Sequence, residues 1–173
     1  MPDELLPLVD EEGRVVGTAP RSEVHGNPRL MHPVVHCLVT DGSGRLLLQL
    51  RSRHKDVQPG RWDTSVGGHV DPGETIEEAL RRELREELGL DPEGCVPEFL
   101  YRYVMRSEIE TELVHTFRLA SEGPFRPDPN EIEAVRFWTP AEIEARLGSG
   151  VFTPNFEDEY ARFGGAAGRT TPV

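Results

Sequence analysis

Hydrophobic and polar positions alternate through most of this chain in short stretches, and few stretches repeat at helical spacing. Leu5 to Val9 and Val15 to Thr18 predict two strands around the turn Asp10-Glu11-Glu12-Gly13. The Val-rich run His32 to Thr40 ends at Asp41-Gly42-Ser43-Gly44, and Arg45 to Arg51, with Leu46-Leu47-Leu48, follows directly. That arrangement predicts a hairpin with a buried face. Ser52 to Arg61 is polar, and Gly67 to Gly73 reads as a loop because Gly and Pro cluster there. Pro97 to Met105 and Glu112 to Leu119 predict another strand pair, and Ala134 to Trp138 a further strand.

Helical spacing marks three segments. Thr75 to Leu88 opens with the capping pair Thr75 and Glu78 and stops at Gly89. Thr139-Pro140-Ala141-Glu142 starts a second helix, with Thr as cap and Pro in the first turn. Pro154 to Phe163 predicts a third, and the small, polar stretch Gly164 to Val173 reads as a loose tail. With no repeat and no internal boundary, residues 1–163 are expected to form a single domain. Its fold class is mixed α/β (α+β).

The helix from Thr75 carries an anomaly. Wound at roughly 100° per residue, it places Ile76, Ala79, Leu80, Leu84 and Leu88 on one side and Glu78, Arg81 and Arg85 opposite. Glu83, Glu86 and Glu87 stand at i, i+3 and i+4, and their arc overlaps the apolar side. Carboxylates crowded against apolar neighbours repel one another unless cations pair with them. An all-oxygen donor set suits magnesium or manganese, which keep positions open for water and phosphate. Arg82, at the edge of the arc, can reach Glu86 or Glu74 and orient the ligands.

Charge narrows the partners. With 19 basic and 31 acidic residues the net charge is −12, which argues against a nucleic-acid polymer. A small phosphate substrate remains open provided metal ions supply positive charge. Apolar runs are only a few residues long, too short for a membrane span, and the start Met1-Pro2-Asp3-Glu4 does not resemble a secretory signal. Cys37 and Cys95 make no disulfide framework, so a cytoplasmic location is expected. No long exposed apolar stripe is visible, and a monomer is the expectation.

Gly68, Glu74, Arg82-Glu83-Leu84, Glu86-Glu87 and Gly89-Leu90, at their spacings, resemble the complete Nudix box. The resemblance implies the Nudix fold, a mixed sheet between helices. It implies magnesium or manganese held by Glu83, Glu86 and Glu87, with Gly68 in the ligand shell, and attack by water on a phosphorus. The family often uses a further Glu outside the box, for which Glu112 and Glu110 are candidates, with Glu131 and Glu133 behind them.

A closer resemblance runs from Arg45 to Gly89. Trp62-Asp63-Thr64-Ser65-Val66-Gly67-Gly68-His69 is similar to the active-site segment of isopentenyl-diphosphate isomerase, a branch of the same superfamily. His25, His32 and His69, with Glu110 and Glu112, resemble its metal-ligand set, which would make a second site here. Arg51 and Lys55 resemble its diphosphate-holding cations. Two departures point towards hydrolysis. The isomerase's essential cysteine falls at Gly67, and Glu83 stands where the isomerase has a basic residue.

Arg51, Lys55 and Arg61 belong to the most basic stretch of an acidic chain, and Lys55 is its only lysine. Cations there would clamp a non-reacting phosphate. Among the aromatics, Trp138 reads as core and Phe156 as a pocket wall. The expected activity is pyrophosphohydrolysis of a nucleoside di- or triphosphate or a related nucleoside diphosphate derivative. The alternatives are allylic diphosphate isomerisation and a module that holds a nucleotide without cutting it.

Overall fold

Strand pairing starts at the N-terminus, where β1 (Leu5–Val9) and β2 (Val15–Pro20) form an antiparallel ribbon that leads into the single turn α1 (Arg21–Val24). The computed structural model describes residues 2–55 and 57–167. The chain continues through β3 (Met31–Thr40), β4 (Leu46–Arg51), β5 (Trp62–Asp63) and β6 (Val66–His69) to α2 (Ile76–Leu88). After a 3-10 turn at Pro92–Gly94 come β7 (Glu98–Arg106), β8 (Thr111–Ala120), β9 (Ile132–Trp138), α3 (Pro140–Glu144) and α4 (Pro154–Ala167).

The centre of the sheet is β3. One edge pairs antiparallel with β6, and the other pairs in parallel with β8 along its whole length, from Met31↔Thr111 to Thr40↔Ala120. β7 then adds antiparallel to β8, as the sequence predicts for that pair. The predicted β3–β4 hairpin does not form as such. A strand has two edges to offer, and those of β3 are taken by β6 and β8, so β4 meets it only at Thr40↔Leu46. β4 then leaves to pair with β9 and β5.

Alternation along β3 divides the molecule into two packed layers. Val35, Cys37 and Val39 join Leu80, Leu84 and Leu88 of α2 in one core. Leu38, with Leu46 and Leu48 of β4, packs against Trp138, Ile143, Phe152 and Phe156 in the other. This is the mixed sheet between helices that the sequence implies. Two boundaries differ from expectation. Residues 67–69, expected in a loop, are strand β6, and residues 164–167, expected in the tail, continue α4. Residues 168–173 of that tail lie outside the described residues. Among the described residues, no helix is long and apolar enough to cross a membrane.

Candidate active site

The acids are aimed by the way α2 is fixed. Thr75 and Glu78 form the reciprocal capping box, and Gly89 closes the helix in the left-handed conformation. Leu84 and Leu88 are fully buried and Leu80 nearly so, each contributing roughly 1.5–3 kcal/mol of hydrophobic stabilisation. Those anchors set the rotation of the helix and turn Glu83 inward, to 9% exposure, while Glu78, Arg81 and Arg85 face solvent.

Glu83 lies directly over Gly68. A Cβ on Gly68 would stand 2.2 Å from the Glu83 carboxyl carbon, so the carboxylate comes this close only because the residue is glycine. Glu87, half-buried, accepts hydrogen bonds from Gln49 Nε2 at 2.7 Å and from the Gly67 backbone N–H at 3.4 Å. Glu86, the third acid, points outward, with 59% of its side chain exposed.

Arg82 ties the acids to β6. Its Nε and Nη2 donate to the two carboxylate oxygens of Glu74, each at 2.9 Å, and Nη2 also reaches the His69 carbonyl at 2.9 Å. Nη1 donates to Glu83 at 2.7 Å and to Glu86 at 3.3 Å. Both partners foreseen for Arg82 are therefore present, and Glu83 is added to them. Burial pushes the Glu83 carboxyl up to about 7, although Arg82 pulls the other way. Burial, with the Glu83 charge, pushes Glu87 up to about 8. Two carboxyls this reluctant to ionise would be relieved by a divalent cation of the magnesium or manganese type, although among the described residues no three α2 carboxylates converge within 4.8 Å.

A second cluster sits where β3, β6 and β8 meet. The rings of His25, His32 and His69 lie 5.2 to 5.6 Å apart, centroid to centroid. His25 Nε2 is 3.6 Å from Glu110, and His32 Nε2 is 3.6 Å from Glu112, its parallel register partner. His32 is fully buried, yet neither of its ring nitrogens has a hydrogen-bond partner, and His25 Nε2 is likewise unpartnered. Ligand atoms of the three histidines converge within 4.8 Å, as do those of His32, Glu110 and Glu112. Burial holds His69 down to about 3, so it is a neutral donor at ordinary pH. Glu112 is pushed up by burial but pulled further down by His32 and His36, and it ends below the usual carboxylate range. Orphaned buried nitrogens beside an ionised carboxylate fit a metal ion.

The basic stretch stands near the helix acids. Arg51 donates from Nε and Nη2 to the Val57 carbonyl and from Nη1 to Asp63 at 3.4 Å. Lys55 pairs with Glu131 and feels the charges of Arg51 and Glu87. Arg61 is half-buried just before β5, and Glu133 lies 3.7 Å from Arg53. Phe156 requires a correction. It is fully buried between Phe152 and Tyr160, so it packs the second core instead of lining a pocket.

Three polar residues at the site stand outside those predicted from sequence. Gln49 interrupts the run Leu46-Leu47-Leu48-Gln49-Leu50, and His36 interrupts a Val-rich strand. Glu159 follows Phe156 by three residues on a core-facing side of α4. A polar residue at an apolar position was the available signal in each case.

Comparison with known proteins gives the family. The NUDIX domain family model matches residues 30–156. An isopentenyl-diphosphate Delta-isomerase of Mycolicibacterium vanbaalenii is 37% identical over 141 residues, covering 79% of this chain and 77% of its own. A Nudix hydrolase of Yersinia pestis is 35% identical over 153 residues, covering 88% and 81%. A crystal structure from Deinococcus radiodurans superposes with a TM-score of 0.80 at 29% identity, covering 92% of this chain and 98% of that one. The chain belongs to the Nudix family. Within it, the chain falls in the branch similar to isopentenyl-diphosphate isomerase and is an enzyme of the Nudix hydrolase class, which acts on phosphoanhydrides.

Proposed function

We propose that this enzyme is a metal-dependent pyrophosphohydrolase that cleaves a phosphoanhydride bond in a nucleoside di- or triphosphate, or a related nucleoside diphosphate derivative, by attack of water at phosphorus. The observation that carries the reading is the pair Glu83 and Glu87, held over the Gly67-Gly68 backbone with their ionisation opposed by burial. A protein that only bound a nucleotide would gain nothing from that cost.

Glu83, Glu86 and Glu87, with the backbone at Gly68, would hold magnesium or manganese, which supplies Lewis acidity to the phosphoryl oxygens. Arg82 fixes Glu83 and Glu74 in place before substrate arrives. Arg51, Lys55 and Arg61 receive the phosphate that does not react. Glu112, ionised and buried beside His32, belongs with His25, His69 and Glu110 to a second metal site.

A second reading, isomerisation of an allylic diphosphate, draws on the relatives that carry the isomerase name and on the assembled histidine cluster. Gly67 opposes it, because glycine offers no side chain to move a proton at the place of the isomerase cysteine. The test is phosphate or pyrophosphate release from nucleoside di- and triphosphates, nucleotide sugars, dinucleotides and isopentenyl diphosphate, with magnesium and then manganese. Selective, metal-dependent release supports hydrolysis. Silence across the panel with ligand binding intact overturns it, and a rearranged allylic product favours the second reading.

A further inference from the structure

One buried polar assembly is used by neither acid cluster. His36, on the face of β3 away from α2, has its Nδ1 3.0 Å from Glu159 Oε1. Glu159 comes from α4 and is fully buried. Its Oε1 also accepts from the Thr116 hydroxyl at 2.8 Å, and its Oε2 accepts from the Tyr101 hydroxyl at 2.6 Å. The carboxylate is thus held by groups from three strands and fixes the imidazole on its Nδ1 side.

The opposite edge of the ring lies against β6. His36 is the register partner of Gly67, and a Cβ on Gly67 would stand 3.3 Å from His36 Cδ2 and 3.5 Å from Nε2. The Nε2 edge therefore lies over the backbone where a side chain is missing, and 13% of the His36 side chain stays accessible. The same Gly67 gives its N–H to Glu87. A single residue thus separates the imidazole from the acid group of α2.

We propose that His36 is a phosphate-contacting residue, whose Nε2–H donates to a non-bridging oxygen of the bound diphosphate, and that Glu159 is its positioning residue. The inference rests on the diphosphate reading of the acid cluster. Its chemistry follows from the charges around the ring. Glu159, Glu112 and Asp63 all favour the imidazolium, and against the cost of burial they hold His36 above its ordinary range. An imidazolium anchored through Nδ1 has one donor left, at Nε2. An anionic substrate entering a site lined by Glu83, Glu87 and Asp63 needs cations from the protein as well as metal. His36 supplies one, and its fixed ring loses little freedom on binding.

The test uses the full chain with magnesium and methylenediphosphonate, a diphosphate that cannot be hydrolysed. Nitrogen-15 NMR of the wild-type imidazoles should show both His36 nitrogens protonated, with the Nε2 signal moving as diphosphonate is added. His36→Gln should weaken diphosphonate binding about 10-fold or more, the size of one charge-assisted hydrogen bond, while magnesium binding alone stays unchanged. Glu159→Gln should return His36 to a mixture of tautomers and weaken diphosphonate binding in the same direction. If the Gly68 amide shifts on titration but His36 Nε2 does not, the dyad is an internal strut and the proposal fails alone. If neither moves and calorimetry detects no diphosphonate binding with magnesium or manganese, the diphosphate reading fails and takes the proposal with it.

Discussion

Gly68 and Glu83 compete for one space, since a Cβ on the first would lie 2.2 Å from the carboxyl carbon of the second. Gly68→Ala therefore has to expel the Glu83 carboxylate from its seat on β6. We expect metal affinity and kcat to fall on the order of 10- to 100-fold, as when a ligand's support is lost, with the helix itself intact by circular dichroism. Calorimetric titration with manganese checks this. Unchanged affinity would mean that the carboxylate works from another position.

The two sides of α2 should respond differently to the same substitution. Glu87→Gln removes an inward-facing acid held by Gln49 and Gly67 and should cost about 10²-fold or more in kcat. Glu78→Gln keeps the oxygen that accepts from the Thr75 N–H, so activity and melting temperature should both stay close to wild type. Equal losses in the two variants would remove the basis for assigning the chemistry to the inner face.

Arg82→Lys separates shape from charge. The guanidinium grips both oxygens of Glu74 while reaching Glu83 and the His69 carbonyl, and an ammonium cannot make that fork. Metal affinity should fall roughly 10- to 100-fold although the formal charge is kept. Full activity in the lysine variant would reduce Arg82 to a point charge.

Without metal, stability should depend on pH in an unusual direction. Burial raises Glu83 to about 7 and Glu87 to about 8 from an ordinary 4.5, so the folded chain keeps protons that the unfolded chain has released. The stability this provides is complete below about pH 4.5 and is lost as pH rises through about 7 to 8. A bound divalent cation prefers the ionised carboxylates and should offset the loss. The melting temperature of EDTA-treated protein should therefore fall between about pH 6 and pH 8 more steeply than that of magnesium-loaded protein. Parallel slopes by scanning fluorimetry would contradict the assignment.

The histidine cluster should take its own ion. Manganese or zinc titration should show a binding event that His69→Ala abolishes and Glu83→Gln leaves in place. Loss of both events in either variant would mean that one centre is shared.

Local rules decided much of the fold. The caps at Thr75 and Thr139, the stop at Gly89 and the antiparallel β7–β8 pair follow from neighbouring residues, and so does the inward turn of Glu83. Long-range pairing did not. The parallel alliance of β3 with β8 joins residues about eighty positions apart, and nothing near Thr40 announces that both edges of β3 are already claimed. Phe156 illustrates the same limit, since it reads from sequence as a pocket wall and is instead covered by the second core.

Strand β3 keeps two accounts of its residues. Val35, Cys37 and Val39 serve the core beneath α2, while His32 and His36 serve the opposite face. Side chains on one face can therefore be exchanged without repacking the other. In such an architecture the reagents of the site can change between relatives while the scaffold stays fixed. That separation lets the histidines of one face change while Val35, Cys37 and Val39, and with them the packing beneath α2, stay as they are.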